Sequence, residues 1–346
     1  MRVIVLAGGG GTRLWPLSKE DFPKQFLRFG SGPSLLQRTV KRFQKAAFVE
    51  EVLICTNALL SPLVEEQLKK IGAPCQILIE PSRKNTAAAI AFAVQSLQEL
   101  RDVSSSETIL VVPSDHLIEP ETVFLQTLQK IEPKSHIVTF GIETTRPETG
   151  FGYIEKGKRF DALTFQIERF VEKPDYQTAK LYVQNPLFLW NSGMFLFRVE
   201  TFWHQLSLHA PEIYRYFLCS VQETRDRFES MESKSIDYAV LEKSKDVLVC
   251  PLSLSWSDVG SWDSVYEVME KDENQNVKVG HVFTIDTENS LIIGGKKVIS
   301  TIGLRDILIV ETEDGILISK RGESQKVKDV LEELKRMSHI PHPSAK

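Results

Sequence analysis

The sequence predicts an α/β fold: a mostly parallel, Rossmann-like sheet with helices on both faces, followed by a small β domain. The first 140 residues alternate short apolar runs with helical patterns, which is the order that builds a parallel sheet. Residues 141–265 add strand-like runs that extend this sheet, and the runs after residue 281 are short and separated by turn residues. We therefore predict a large domain over residues 1–270 and a small C-terminal β domain over residues 275–346.

Apolar periodicity and segment length place the individual elements. The large domain begins with predicted strands at Val3–Ala7, Val52–Thr56, Gln76–Ile79, Thr108–Val112 and Ile137–Phe140. Helices between them are predicted at Leu35–Ala46, Leu59–Ile71, Thr86–Leu100 and Glu121–Ile131. Its second part has predicted strands at Gly152–Glu155, Phe165–Glu172, Gly193–Arg198 and Val247–Leu252, and helices at Tyr176–Gln184, Val199–Leu208 and Ile236–Lys243. The small domain has predicted strands at Val282–Ile285, Ser290–Ile293, Val298–Thr301, Ile307–Val310 and Gly315–Ser319, and a final helix at Ser324–Met337.

Composition excludes several classes of protein. The 346 residues have a formal net charge of -4 and no long basic stripe, so nucleic acid is not an expected partner. No run approaches the roughly 18 apolar residues of a membrane span, so no membrane partner is expected. The four cysteines are scattered without a Cys-x-x-Cys pair, which favours buried thiols in a reducing compartment. We expect a soluble, cytoplasmic protein.

Four consecutive glycines, Gly8 to Gly11, follow the first predicted strand and lead into Thr12 and Arg13. Glycines let backbone N–H groups approach a phosphate closely. The loop lacks the ending of a Walker A motif, and Arg13 stands where a dinucleotide fingerprint has its third glycine. Because guanidinium binds phosphate oxygens bidentately, Arg13 suits a triphosphate. A flexible turn remains the alternative for the loop, and Lys24 taken alone fits a solvated surface lysine.

A family resemblance is carried by Leu6-Ala-Gly-Gly-Gly-Gly-Thr-Arg-Leu-Trp-Pro-Leu-Ser18 and by Pro23-Lys-Gln25. These runs resemble the signature of the sugar-nucleotide pyrophosphorylases, and the Trp-Pro-Leu-Ser continuation is most similar to that of the mannose-1-phosphate guanylyltransferases. The resemblance implies a nucleotidyltransferase sheet and a short β-helix-like C-terminal domain. It also implies that the loop wraps a triphosphate, while Arg13 and Lys24 brace the departing pyrophosphate.

The segment from Glu80 to Ile90 resembles the guanine-side segment of these guanylyltransferases, with Lys84 and Ala88 in place of the usual Arg and Pro. Helix capping is the alternative role for Asn85 and Thr86. The resemblance implies nucleotide binding by a set of residues from four segments: Leu6, Ala7, Gly8, Gly9, Gly10, Gly11, Thr12, Arg13, Lys24, Glu80, Asn85, Thr86 and Ser114.

Two aspartates are predicted to hold Mg²⁺. Asp115 follows a buried strand, where a carboxylate can hold the ion against phosphate oxygens. The resemblance makes Asp115 and Asp258 the two metal ligands, and Mg²⁺ the cofactor. Helix capping is the alternative for each: Asp115 for the next helix, and Asp258 for a helix beginning near Gly260.

The sugar side of the resemblance consists of Gly152, Glu172, Lys173 and Asn191. It implies that the backbone at Gly152 approaches a hexose, that Glu172 and Asn191 bind hydroxyls, and that Lys173 neutralises the sugar phosphate as a third catalytic cation. The run Ser235–Ala239 belongs to the same resemblance without a residue role of its own. Taken singly, each of these runs looks like an ordinary strand end or turn.

The implied reaction joins GTP and mannose-1-phosphate to give GDP-mannose and pyrophosphate by Mg-assisted in-line displacement. The attacking phosphate oxygen is already ionised, so positioning and charge neutralisation supply the catalysis. One alternative is the same fold with another sugar phosphate or base. Another is a GDP-mannose-sensing regulatory subunit, although such a subunit should lack a loop cation or a metal aspartate. A homodimer is the favoured assembly, and isomerase activity is not expected because the sequence ends soon after the final helix.

Overall fold

A nine-stranded mixed sheet organises the first of two units into which the chain divides. The computed structural model describes residues 1–30 and 32–338, so residues 339–346 of the predicted C-terminal domain lie outside the described residues. The first unit comprises Met1–Gly8, Leu36–Ser114 and Ile118–Trp256. The second comprises Gly9–Leu35, Asp115–Leu117 and the chain from Ser257 onward.

The strands of the large sheet are β1 (Arg2–Leu6), β2 (Glu51–Asn57), β3 (Gln76–Glu80), β4 (Thr108–Pro113), β6 (Ile137–Glu143), β7 (Gly152–Arg159), β8 (Phe165–Glu172), β9 (Phe188–Arg198) and β10 (Val247–Leu252). Short strands β5 (Leu117–Glu119) and β11 (Ser255–Ser257) occur where the chain passes between the units. The sheet order is β3-β2-β1-β4-β9-β6-β10-β8-β7.

Parallel pairing dominates the first half of this sheet, as the strand–helix alternation predicts. Strand β1 pairs in parallel with both β2 and β4, and β2 pairs in parallel with β3. Strand β9 enters between β4 and β6 and runs antiparallel to both. It also begins at Phe188, five positions before the predicted start at Gly193. The predicted α/β fold class is confirmed, but the sheet as a whole is mixed rather than mostly parallel, because the middle of the chain adds antiparallel strands.

Helices cover both faces of the sheet in the first unit. They are α1 (Leu35–Gln44), α2 (Ser61–Lys70), α3 (Asn85–Arg101), α4 (Glu121–Lys130), α5 (Tyr176–Val183), α6 (Val199–His209), α7 (Pro211–Tyr214) and α8 (Val221–Arg227). The alanine-rich α3 packs in one buried cluster with Ile4 and Ile137 of the sheet. Phe140, three positions after Ile137, points to the other face and contacts Phe124 of α4, which in turn contacts Phe43 of α1.

The second unit contains the small β domain. Its elements are α9 (Trp262–Val268), β12 (Val277–Val279), β13 (Val282–Ile285), β14 (Leu291–Ile293), β15 (Ile299–Ile302), β16 (Ile307–Glu311), β17 (Ile316–Lys320) and α10 (Val327–Ser338). Parallel pairs join β12 to β14, β14 to β16, and β13 to β15, which is the stacking of a short β-helix. A buried cluster joins these strands to Leu14, Leu27 and Trp262. The predicted β-helix-like domain ending in a helix is thus confirmed, and β12 is an additional strand.

Several helical segments also differ from the predicted elements. Helices α7 and α8 lie in a region for which no helix is predicted. The predicted helix Ile236–Lys243 is instead a π-helical turn over Asp237–Leu241.

Across residues 1–30 and 32–338, none of the helices is both long enough and apolar enough to cross a lipid bilayer.

Candidate active site

The second unit contains most of the glycine loop together with Lys24. Gly11 has a left-handed backbone, with φ 43°, and a Cβ atom there would lie 2.6 Å from the Cβ of Lys24. Both the conformation and the space therefore require glycine. Gln25 donates from Nε2 to the carbonyl oxygen of Gly9 at 3.2 Å. The loop and the Pro23–Gln25 run thus form one structural piece, although they are separate motifs in the sequence.

Lys24 connects the two predicted metal aspartates. Its side chain is buried, its Nζ lies 2.7 Å from Oδ2 of Asp115, and it donates a hydrogen bond to the backbone carbonyl oxygen of Asp258. Burial works against ionisation of Asp115, but the Lys24 ammonium and His116 outweigh it, so the pKa of Asp115 lies below its usual range. The solvated-lysine alternative for Lys24 is therefore wrong, and Asp115 is a carboxylate at neutral pH.

The capping alternative for Asp258 is not realised. Helix α9 begins at Trp262, and its N-cap is Ser261, whose hydroxyl accepts a hydrogen bond from the backbone N–H of Ser264. Asp258 instead accepts from the backbone N–H of Gly260 at 2.9 Å through Oδ1. The Asp258 carboxylate is consequently available for a role other than starting α9.

The donor set of this cluster suits Mg²⁺. The ion prefers oxygen ligands and usually binds through one or two carboxylates together with substrate phosphates. The Asp115 carboxylate and the backbone carbonyl oxygen of Asp258 share Lys24 as a partner, so two aspartates lie in the same neighbourhood. Within the described ranges, no three His, Cys, Asp or Glu side chains converge on a ready-made metal cage. The residues present fit an ion that arrives with a phosphate ligand.

Thr12 and Arg13 lie in a 3₁₀ turn, Thr12–Leu14, directly after Gly11. Arg13 is exposed, and no ion pair joins it to another residue within 1–30 or 32–338. Gly9 and Gly10 leave open space where their Cβ atoms would lie, as far as the described residues show. This part of the loop therefore presents backbone N–H groups and one guanidinium without side-chain obstruction.

Glu80 marks the predicted nucleotide side in the first unit. It ends β3, its carboxylate is buried, and the Cys55 thiol donates to its Oε1 at 3.4 Å. A Cβ atom on Gly8 would lie 3.2 Å from that same oxygen, so the glycine allows the carboxylate to approach the end of β1. Burial raises the pKa of Glu80 to about 7, with Cys55 and the Arg83 guanidinium opposing the shift. Glu80 can therefore change its protonation state near neutral pH.

The neighbouring strand ends are fixed by backbone hydrogen bonds. The N–H of Ser114 donates to the carbonyl oxygen of Leu6 at 3.0 Å, and the N–H of Ala7 donates to that of Cys55 at 2.7 Å. The side chain of Asn57 donates to the carbonyl oxygen of Gly8 at 3.4 Å. Leu6, Ala7 and Ser114 thus define the backbone at the carboxyl ends of β1 and β4.

Asn85 and Thr86 begin α3, but neither acts as its N-cap. That position belongs to Lys84, whose side chain forms no capping hydrogen bond. Asn85 has a left-handed backbone, with φ 66°, and its side-chain oxygen accepts from the N–H of Thr86. The Thr86 hydroxyl oxygen accepts from the N–H of Ile236 at 2.9 Å. Thr86 therefore ties the start of α3 to the Ser235–Ala239 run.

The predicted sugar-side residues come together in the first unit. Gly152 pairs with Glu172 across β7 and β8, and a Cβ atom on Gly152 would lie 2.5 Å from Oε2 of Glu172. The same Cβ would lie 3.4 Å from the Cβ of Asn191 on β9. Lys173 has a left-handed backbone and forms an ion pair with Glu172. Glycine at 152 is thus required for the Glu172 carboxylate to reach its place.

Asp237 joins this group and is absent from the predicted site residues. Its Oδ1 accepts from Nδ2 of Asn191 at 2.9 Å. Burial, together with the nearby Glu172 carboxylate, raises the pKa of Asp237 to about 6. The sequence analysis noted the Ser235–Ala239 run that contains Asp237. It could not predict the contact with Asn191, so it assigned the aspartate no role.

Comparisons with known proteins identify the family of the chain. The sequence matches the Nucleotidyl transferase family over residues 2–275 and the MannoseP isomerase/GMP-like beta-helix domain over residues 280–334. It is 37% identical to a mannose-1-phosphate guanylyltransferase of Escherichia coli, over 98% of this chain and 77% of that protein. It is 39% identical to the alginate biosynthesis protein AlgA of Pseudomonas aeruginosa, over 96% of this chain and 71% of that protein.

Solved structures give the same fold. One described as a mannose-1-phosphate geranyltransferase from Thermus thermophilus superimposes with a TM-score of 0.85 and 29% identity, covering 96% of this chain and 99% of that one. A UDP-glucose pyrophosphorylase complexed with UDP-glucose matches with a TM-score of 0.54 and 20% identity, over 77% of this chain and 95% of that one, and supports the fold alone.

Proposed function

Because the chain belongs to the mannose-1-phosphate guanylyltransferases of the nucleotidyl transferase family, we propose that it transfers GMP from GTP to mannose-1-phosphate. A phosphate oxygen of the sugar phosphate attacks the α-phosphorus of GTP, and the bond from that phosphorus to the β-phosphate oxygen breaks. The products are GDP-mannose and pyrophosphate, with inversion at the α-phosphorus. No proton has to be removed, since the nucleophile is ionised at neutral pH.

The observation that carries this proposal is the buried Lys24 bonded to Asp115 and to the backbone of Asp258. A regulatory subunit that only senses GDP-mannose has no need to bury a lysine between two aspartates. In the proposed enzyme, Asp115 and Asp258 would hold Mg²⁺, which supplies positive charge to the reacting phosphates. Lys24 and the exposed Arg13 stabilise the negative charge that develops on the departing pyrophosphate.

The other residues position the two substrates. The backbone of the glycine loop binds the triphosphate, and Glu80 accepts hydrogen bonds from guanine. Glu172 and Asn191 bind sugar hydroxyls, and Lys173 neutralises the sugar phosphate. In water-poor sites such positioning accounts for a large share of the barrier reduction in reactions that need no acid–base catalyst.

The first test is the choice of substrates. We expect GTP with mannose-1-phosphate to release pyrophosphate faster than any other pairing of a nucleoside triphosphate with a hexose-1-phosphate, with Mg²⁺ present. The measurement is a coupled pyrophosphate assay over a matrix of four nucleotides and several sugar phosphates. A clear preference for UTP or dTTP with glucose-1-phosphate would replace the proposed substrates by others. No release with any pairing would favour the regulatory subunit.

The second test concerns the base and pH. A carboxylate only accepts hydrogen bonds, and guanine presents N–H donors at N1 and N2, so the ionised form of Glu80 is the form that binds. Because the pKa of Glu80 is about 7, the apparent affinity for GTP should rise as pH increases from 6 to 8. Glu80→Gln should raise the KM for GTP by about 10-fold, the size of a charge-assisted hydrogen bond, and flatten this rise.

Inosine triphosphate provides the control for this variant, because it lacks the N2 amino group. The wild-type enzyme should prefer GTP to inosine triphosphate, and Glu80→Gln should reduce that preference. An unchanged preference, with an unchanged pH profile, would mean that Glu80 does not contact the base.

A further inference from the structure

We propose that Asp237 is a positioning residue of the sugar subsite, fixing Asn191 in the orientation in which its amide binds the hexose. The inference rests on the proposed function and deepens it. The key observation is a hydrogen bond between the two residues. Nδ2 of Asn191, a predicted sugar-binding residue, donates to Oδ1 of Asp237 at 2.9 Å.

The two ends of the Asn191 amide have partners of opposite kind. Its Oδ1 accepts from the backbone N–H of Gly193 at 3.2 Å, and a backbone N–H can only donate. Its Nδ2 donates to Asp237, and a carboxylate can only accept. The amide therefore has a single permitted orientation. One Nδ2 hydrogen is used by Asp237, and we assign the other to a sugar oxygen.

The backbone that presents Asp237 is specialised. Asp237 opens the π-helical turn Asp237–Leu241, and π-helical turns are frequent at functional sites. The turn is anchored on its N-terminal side, where Thr86 accepts from the N–H of Ile236 and the N–H of Ala87 donates to the carbonyl oxygen of Lys234. These bonds hold the aspartate in place independently of its contact with Asn191.

The electrostatic surroundings also suit a site that recognises hydroxyl groups. Asp237 interacts with the carboxylate of Glu172 and the ammonium of Lys173, and Glu242 also interacts with Glu172. With a pKa of about 6, Asp237 is mainly ionised at neutral pH and accepts the Asn191 hydrogen bond in its charged form. Asp237 is thus a charged hydrogen-bond acceptor beside the predicted sugar residues Glu172 and Lys173.

The KM values for the two substrates distinguish a positioning role of Asp237 from a role in folding alone. We expect Asp237→Ala to raise the KM for mannose-1-phosphate by about 10-fold or more, the loss expected for a hydrogen bond to a charged group. The KM for GTP should change by less than about threefold, because that substrate does not depend on the Asn191 amide. Asp237→Asn should show a smaller effect, since its side-chain oxygen can still accept from Asn191.

A double-mutant cycle gives the decisive readout. If Asp237 acts through Asn191, the variant carrying both Asp237→Ala and Asn191→Ala should have about the same sugar KM as Asn191→Ala alone. Ser235→Ala is the matched control, because it removes a hydrogen bond to the N–H of Tyr238 in the same turn without contacting Asn191. Its thermal stability should fall while its sugar KM stays unchanged.

Three results would overturn the inference: an unchanged sugar KM in Asp237→Ala, equal increases in both KM values, or multiplicative effects in the double variant. A wild-type enzyme that does not use mannose-1-phosphate would instead refute the proposed function. In that case the cycle is measured with the sugar phosphate that the wild-type enzyme does use.

Discussion

Replacing Asp258 by asparagine is expected to leave the protein folded and to lower kcat for pyrophosphate release by at least about 100-fold. Loss of a group that only supports a metal ligand typically costs about 10–100-fold, and loss of a ligand itself should cost at least that. The effect should appear mainly in kcat, because the charge that the metal site balances grows toward the transition state. The variant should also bind Mg²⁺ more weakly in the presence of nucleotide, which calorimetric titration measures directly.

The structure allows Asp258→Asn to distinguish a metal-binding role of Asp258 from a structural one. Oδ1 of Asp258 accepts from the N–H of Gly260, and the side-chain oxygen of an asparagine can accept the same bond. Ser261 caps α9, so the helix does not depend on residue 258. Asp329→Asn, on the exposed surface of α10, removes a negative charge from the same unit without touching the cluster and should retain full activity. A folded Asp258→Asn enzyme with near-normal kcat at saturating Mg²⁺ would remove Asp258 from the proposed metal site.

Features with local signals could be predicted from the sequence. Short apolar runs bounded by polar segments indicated β1 to β4, and the four glycines indicated a loop after β1 whose backbone needs glycine, as at Gly11, because strand length, burial and glycine conformation depend on near neighbours. The same is true of the β-helix strands, whose short runs repeat between turn residues. That Asp115, Lys24 and Asp258 lie close together could be predicted only with the help of the family resemblance.

Features that depend on distant partners could not be predicted. Strand β9 lies between β4 and β6 because Leu196 pairs with both Leu110 and Val138, and no periodicity in the sequence encodes that choice. Asp237 stands 46 positions from Asn191, and its role depends entirely on that contact. The capping alternative for Asp258 placed the start of α9 near Gly260, whereas the helix begins at Trp262 with Ser261 as its N-cap.

Lys24→Gln is expected to be the most damaging change in the glycine-loop region, lowering kcat by at least about 100-fold. Removing one preorganised group that stabilises developing negative charge typically costs about 100- to 1,000-fold. In the reverse reaction the KM for pyrophosphate should rise as well, because the proposed partner of Lys24 is the departing pyrophosphate. Arg13 remains in the variant and accounts for any residual activity.

Lys24→Gln should also lower the stability of the protein, because it breaks the ion pair with Asp115. Lys24 Nζ lies 2.7 Å from Asp115, and without the lysine this carboxylate has lost its nearest positive charge. Breaking a fully buried pair costs about 3–5 kcal/mol, but the Asp115 side chain is 24% exposed, so we expect a smaller loss of about 1–3 kcal/mol. Thermal or urea unfolding measures this change.

The pH dependence of that loss follows from the sign of the Asp115 shift. Its pKa is lowered in the folded protein, so its stabilising contribution is present above the ordinary aspartate pKa and disappears as pH falls through the folded value. The difference in stability between wild-type protein and Lys24→Gln should therefore be largest near neutral pH and shrink in acid.

Lys19→Gln is the matched control, because Lys19 belongs to the same segment and pairs with Asp314 but is 42% exposed. It should change neither kcat nor stability appreciably, as is usual for exposed ion pairs. If Lys24→Gln behaves like Lys19→Gln in both assays, the buried ion pair is incidental and the proposed site loses its central cation. If it is destabilised but turns over normally, Lys24 is a structural residue only, and the stabilisation of pyrophosphate passes to Arg13 alone.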